Sequence, residues 1–363
     1  MKSQKMMLAG KRLSSFIEFH LVYQKRTLPA ALIEIRTDNS MMRVGFIALA
    51  CLISLSNLSY ADNHLKSVKV AVLKFGTVMW ELETIKRYGL DTRHNFKLEI
   101  QPVANKQAAA VMLQAGETDA IVSDWIWAAR QWDIRPFVVL PYSKSVGGVM
   151  IRGESIKTIT DLKGKRIAIA GGPLDKNWIM LQAVALSQYG FNLAESADVV
   201  FAAPPLIHRK MLDGEFDAEI NFWPYLARSR ANGLKFLTTT KQLSNSANLS
   251  AEVPLLAYVF KQGWAAKNPD LVRSFFLSSQ EAKTLLQQDE AAWLALKPTM
   301  KVNNEREFVA LRNGFIEGIP STREWPHISK MLSWITFLRN NGGEKLVGTS
   351  KTLAPEMFLS INE

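Results

Sequence analysis

The chain reads as an α/β protein of two lobes, each a mostly parallel sheet flanked by helices. Two observations carry that expectation. Gly116-Glu117-Thr118-Asp119-Ala120 returns as Gly214-Glu215-Phe216-Asp217-Ala218, 98 positions later. Each copy also keeps the same surroundings. A β-rich segment ending in glycine comes first (residues 68–75 then Gly76; residues 166–170 then Gly171), a helical stretch leads in, and an apolar run leads out. Val70-Ala71-Val72 and Ile167-Ala168-Ile169 lie 97 apart, so the register holds within one residue. Strand–helix alternation of this kind favours parallel sheets. The pentapeptide alone is a helix stop followed by a strand start, since glycine suits the position after a helix and Asp the turn. The duplication is what implies a cleft, because ligands of such sheets lie beyond the carboxyl ends of the strands.

In lobe one, residues 68–75 form a first strand and residues 77–88 a helix. Residues 97–103 alternate as a second strand, 105–114 are helical, 120–123 are a buried strand and 137–140 a further one. Residues 142–148 (Tyr-Ser-Lys-Ser-Val-Gly-Gly) read as a crossing between lobes, with Gly147-Gly148 as a candidate hinge. In lobe two, strands are expected at 166–170, 199–201 and 218–222, with a first helix over 172–188. The polar stretch 238–250 marks the return crossing, and 255–260 a strand rejoining lobe one. Asn268-Pro269 then opens a helix, Asn as N-cap and Pro at the first helical position. The rest is helical, with Trp293, Phe308, Phe315, Trp334 and Phe337 as core anchors. These boundaries assign 62–147 and 245–363 to lobe one and 148–244 to lobe two.

Residues 41–61 read as a signal peptide: Arg43, a 12-residue apolar core over 44–55, and small residues at 59 and 61 before cleavage. That core is too short to span a bilayer. Residues 1–40 are expected to be a spurious extension from a start codon placed too far upstream. An exported, periplasmic protein follows. Cys51, the single cysteine, lies inside the apolar core, so the mature chain has none and its core must suffice without disulfides. Of 44 Lys/Arg and 33 Asp/Glu, residues 1–61 hold 8 and 3, leaving 36 and 30. A mild positive balance with no basic block excludes nucleic acid as a partner.

Catalytic motifs are missing. His64, His94, His208 and His327 are far apart and lack ligand spacing, and no phosphate loop, dinucleotide fingerprint, His-Glu-x-x-His or nucleophile turn occurs. No cofactor and no metal is expected, and no enzymatic activity. Binding is better supported. Trp80 follows the first strand of lobe one and Trp178 its counterpart in lobe two, 98 apart. Trp125 follows Asp124 after the third strand, and Trp223 follows Asn221 and Phe222 at the equivalent place. Such rings offer amphipathic faces to an apolar or cationic ligand. Helix starts after Gly76-Thr77 and Gly171-Gly172 offer backbone N–H groups to an anion. Asp124, Asp175 and Glu219 bring negative charge, although Asp175 equally suits a helix cap. Ligand charge is therefore left open, a zwitterion or polar heterocycle included.

Thr160-Asp161-Leu162-Lys163-Gly164-Lys165-Arg166-Ile167-Ala168 followed by a Gly-rich turn resembles the second-lobe entry of periplasmic substrate-binding proteins of the nitrate/sulfonate/taurine class. The Gly-Glu-x-Asp-Ala copies, Trp223-Pro224-Tyr225 and Asn268-Pro269-Asp270-Leu271-Val272 are similar to that family too. The likeness covers roughly residues 66–295. It implies a two-lobed type II periplasmic-binding-protein fold serving an ABC importer, whose relatives bind nitrate, taurine, alkanesulfonates or thiamine-precursor pyrimidines. Carried over by matching turns, the cleft positions are Gly76, Thr77, Trp80, Asp124, Trp125, Gly171, Gly172, Trp178, Asn221 and Trp223. The implied partners are a small-molecule ligand and an ABC permease with its ATPase, the receptor being a monomer. The cysteine-rich signature of eukaryotic pyrimidine synthases is missing, which argues against the enzyme branch. Two other readings stand beside it: an enzyme on the same bilobed fold (a pyrimidine synthase or small-molecule lyase), and an accessory protein for an exported enzyme.

Overall fold

Alternation of valines in Ser-Val-Lys-Val-Ala-Val-Leu builds β1 (Ser67–Leu73), with Val68 and Val70 fully buried. The computed structural model describes residues 65–350 and 352–361. The expectations for residues 1–61, signal peptide and extension, lie outside the described residues. Nine more strands follow: β2 (Lys97–Val103), β3 (Ala120–Asp124), β4 (Phe137–Ser143), β5 (Gly147–Ile151), β6 (Arg166–Ala170), β7 (Asp198–Ala202), β8 (Ala218–Phe222), β9 (Lys235–Thr239) and β10 (Leu256–Lys261). They form two five-stranded sheets, ordered β2-β1-β3-β10-β4 and β7-β6-β8-β5-β9.

The two orders are one order. β1, β2, β3 and β4 correspond to β6, β7, β8 and β9, and β10 corresponds to β5. In each sheet the pairings put four strands in one direction and a single strand against them. That opposed strand is the first one after a crossing, β5 in the second sheet and β10 in the first. A chain leaving the carboxyl end of one sheet enters its neighbour at that same end, so it must run backward there. The duplicated pentapeptide has the same job in both lobes. Gly116 (φ 84°) and Gly214 (φ 85°) end their helices in the left-handed conformation. Asp119 then accepts from the Lys69 backbone N–H and Asp217 from that of Arg166, each at 2.8 Å. The aspartate is thus a tie to the first strand of its sheet as well as a turn former.

Several expectations shift. Gly147 and Gly148 open β5, paired with Phe222 and Asn221, so the first crossing is only residues 144–146. The reason is steric. A Cβ on Gly147 would lie 2.3 Å from the Asn221 carbonyl oxygen, so glycine serves close strand approach there. The polar stretch expected as the return crossing is mostly a helix, Thr240–Ser246, with a Thr239/Gln242 capping box. The sequence reading missed β5 and β9, both short. Asn268 does not cap the helix Pro269–Gln288 through its side chain, whose amide donates to the Trp264 carbonyl; Pro269 does start it.

The lobes touch along a helical seam. The helix Trp223–Ala231 from the second sheet packs on Glu305–Gly318, whose Phe308, Leu311 and Phe315 join Trp80 and Trp293 in one cluster. Gly314 makes this approach possible, and Gly318 lets the end of the same helix lie against the first crossing. A Cβ on Gly314 would sit 2.9 Å from the Trp223 ring, and one on Gly318 would sit 2.6 Å from the Ser145 hydroxyl. Arg228 fastens the seam, donating to Glu307 at 3.0 Å and to the Met300 carbonyl at 2.8 Å. No helix among the described residues is long and apolar enough to cross a membrane.

Candidate binding site between the lobes

Each sheet presents its carboxyl ends to the other lobe, and two contacts bridge them. At the first, the Trp80 ring meets Trp223 edge-on, centroids 6.0 Å apart. Trp80 comes from the helix Val78–Arg87 that follows β1; Trp223 starts the helix after β8. Trp80 is 4% exposed and also touches Trp293 and Phe315, so its ring is both a wall and a core element. At the second, Lys176 Nζ lies 3.3 Å from Asp124 Oδ1, joining the first turn of the helix Lys176–Tyr189 to the end of β3. Lys106 reaches the same place from the helix Lys106–Ala115, its Nζ 4.7 Å from the Phe222 ring centre.

This second contact is a cluster of two acids and two bases. Burial pushes the Asp124 carboxyl upward, but Lys176, Lys106 and the Trp127 amide outweigh it and hold it below the usual range. Burial wins at Asp175, whose carboxyl is raised even though it caps the Asn177 and Trp178 amides at 2.9 and 3.1 Å. Burial also lowers the Lys106 ammonium, a cost that Asp124 only partly offsets. Asp124 caps its own helix as well, accepting from Trp127 N at 2.9 Å. Both carboxylates therefore face the gap already engaged, and the helix amides after Gly171-Gly172 belong to Asp175. Helix Lys176–Tyr189 begins four residues later than the sequence reading places it, because Asp175, not Gly172, supplies its cap.

The remaining expected positions divide. Gly76 and Thr77 form the turn between β1 and its helix, the Gly76 N–H donating to the Leu73 carbonyl at 2.9 Å. Asn221 is buried on β8 and holds Glu219 at 3.0 Å and the Pro204 carbonyl at 3.1 Å. Trp125 and Trp178 lie in a different cluster from Trp80, with 0% and 2% exposure, so the two tryptophans 98 apart in the chain are not brought together. The Trp125 Nε1 donor is buried with no hydrogen-bond partner among the described residues. Lys106 and Lys176 were missed. The signal for them was weak: each directly follows a capping Asn or Asp, which sets it on the first helical turn at a sheet's carboxyl end.

Beneath this wall lies a buried polar group. Lys283 (2% exposed) sits 3.2 Å from Glu81 Oε2 (0%), while Glu81 Oε1 accepts from Tyr258 and Ser279 at 2.7 and 2.6 Å. Lys283 also rests 4.8 Å from the Tyr142 ring centre. Burial lowers the lysine against the pull of Glu81, and burial with the Glu81 charge raises both tyrosines well above their usual value. No group of His, Cys, Asp and Glu that could hold a metal occurs among the described residues.

Two matched α/β lobes joined by two crossings, with facing strand ends, define a bilobed binding-protein fold. A family model described as NMT1/THI5 like matches residues 92–291, more than half of the chain, and the chain belongs to that family. No match to a curated protein was found. Among solved structures, the chain is similar to the periplasmic aliphatic sulphonate binding protein SsuA from Escherichia coli: 17% identity, TM-score 0.63, 78% of this chain and 94% of that one. It is also similar to the alkanesulfonate-binding protein SsuA from Xanthomonas axonopodis pv. citri bound to MOPS, with 15% identity, TM-score 0.61 and coverage of 81% and 98%. The periplasmic nitrate-binding protein NrtA from Synechocystis PCC 6803 follows at 13% identity, TM-score 0.53 and 69% of each chain. At these identities the likeness establishes the two-lobed fold, which agrees with the one expected from sequence.

Proposed function

We propose that the protein is a periplasmic solute-binding receptor that holds a small organic molecule between its lobes and delivers it to an ABC permease and its ATPase. The solute class is a sulfonate, an amine or a pyrimidine-like heterocycle, and the receptor works as a monomer without chemical turnover. The observation that carries the reading is the Asp124–Lys176 contact across the lobes. A polar solute there can exchange partners with a cation on one lobe and an anion on the other, so it senses both at once. Only a ligand with different affinity for open and closed forms shifts that equilibrium. Moving it from 1:99 to 99:1 takes roughly 5.5 kcal/mol.

The site we assign comprises Gly76, Thr77, Trp80, Asp124 and Trp125 from the first lobe, with Gly171, Gly172, Trp178, Asn221 and Trp223 from the second. Lys106 and Lys176 are added to it. An acceptor on the solute that reached Trp125 Nε1 would satisfy that donor; an unpaired buried donor costs about 1–3 kcal/mol. The test is a thermal-shift screen of the purified protein against taurine, alkanesulfonates, amines and pyrimidines. A true ligand at 100 times its Kd adds about 2.7 kcal/mol of stability. Lys176→Met should remove that gain. A screen with no stabilising compound, or a ligand indifferent to Lys176→Met and Asp124→Asn, would reject the assignment.

A further inference from the structure

A cavity of about 890 Å³ lies beside the two crossings. One wall is the helix Trp223–Ala231 with Phe236; the other is the helix Glu305–Gly318; crossing residues 144–146, Gly147 of β5, and residues 251–253 and 255 run between them. Of the ten positions expected from sequence, only Trp223 reaches it, so it is a separate space from the Asp124–Lys176 crevice.

Its charges do not balance. Lys144 is paired with Glu252 at 2.9 Å, and Glu305 is drawn out to Lys297 at 2.8 Å. Glu252 is held below the usual carboxylate range by its bond to Lys144 and, in smaller part, by Lys241. Among the described residues, neither Arg230 nor Arg306 has a carboxylate within ion-pair distance, and Glu317 is the one acid left in the lining without a partner. Two free guanidinium groups therefore look onto a cavity whose other surfaces include Trp223, Phe236, Val253 and Leu255. Guanidinium forks bind carboxylates in two-point fashion, and a flat apolar body would lie against the rings.

We propose that this hinge-side cavity binds an amphipathic organic anion, an aromatic carboxylate being the class that fits, through Arg230 and Arg306. Because both lobes and both crossings wall the cavity, its shape follows the angle between the lobes. Its occupant is thus coupled to closure, and by reciprocity to whatever binds in the interlobe crevice.

Isothermal titration of the whole protein with 2-naphthoate tests this. One site is expected, with binding that weakens as salt is raised. Arg230→Gln and Arg306→Gln together should weaken it by at least about tenfold, the loss of one charge-assisted contact. Both side chains are exposed, so the variants should keep the wild-type melting temperature. Hydrogen exchange on the unaltered protein gives a second reading, with protection by 2-naphthoate expected over residues 227–241 and 305–314. Absence of binding, unchanged affinity in the double variant, or protection confined to residues 76–80 and 171–178 would each overturn the proposal.

Discussion

Replacing Lys283 by Met removes the only cation that, among the described residues, lies within ion-pair distance of the fully buried Glu81 carboxylate. In the structure Glu81 and Lys283 are 0% and 2% exposed, 3.2 Å apart, so neither has water as an alternative partner. Breaking a buried pair from one side typically costs about 3–5 kcal/mol, because the remaining charge is stranded. Met fills nearly the volume of the lysine stem, so little of that loss is cavity. Tyr258 and Ser279 still donate to Glu81 Oε1, which places the expected loss at the lower end, about 3 kcal/mol. At about 2–4 °C per kcal/mol for a domain of this size, the melting temperature should fall by roughly 6–12 °C. Adding Glu81→Gln to Lys283→Met should recover much of the loss, since a neutral amide needs no counter-charge. Urea denaturation of the wild type, both single variants and the double variant closes the cycle. A single variant within about 1 kcal/mol of wild type, or a double variant as unstable as the sum of the singles, refutes a stranded charge as the cause.

Trp80→Ala should destabilise by about 3–5 kcal/mol, since the ring is 4% exposed among Trp223, Trp293 and Phe315; calorimetry measures it, and a loss under 1 kcal/mol would put the ring outside the core. Asp124→Asn should change global stability by no more than about 1 kcal/mol, the worth of a partly exposed pair, yet shift the lobes toward the open form as read by small-angle scattering. Asp119→Asn and Asp217→Asn should cost similar amounts, about 1–2 kcal/mol each, because both tie a helix end to its first strand; a clear inequality in denaturation midpoints would break the equivalence of the lobes. Burial raises the Glu219 carboxyl against its bonds to Ser229 and Asn221, so its folded pKa exceeds the unfolded one. Its contribution is therefore whole below about pH 4.3 and is lost as pH rises through the folded value. Glu219→Gln should then gain on the wild type between pH 4.5 and 7.5 in urea titrations; a gap that stays constant or reverses contradicts this.

How much was legible follows the range of each interaction. Strands β2, β6 and β8 have the bounds the residues suggested, and Asp175 caps its helix as its residue type allows. These features depend on periodicity and on neighbours a few positions away, which any stretch of chain carries with it. The duplicated plan was legible for the same reason, since each lobe repeats its own local cues. Strands β5 and β9 escaped because five residues with one glycine-rich or polar end present no periodic run.

The amino-acid order by itself thus determined two like α/β lobes and the turns that face each other. Only the folded arrangement decided what meets across the gap: Trp80 with Trp223 instead of Trp178, Asp124 with Lys176, and Gly314 beneath an indole. Those partners are separated by tens of residues to well over a hundred. Their meeting depends on how two sheets are turned toward one another and on helices beyond both lobes' repeated part, and no local preference records that geometry.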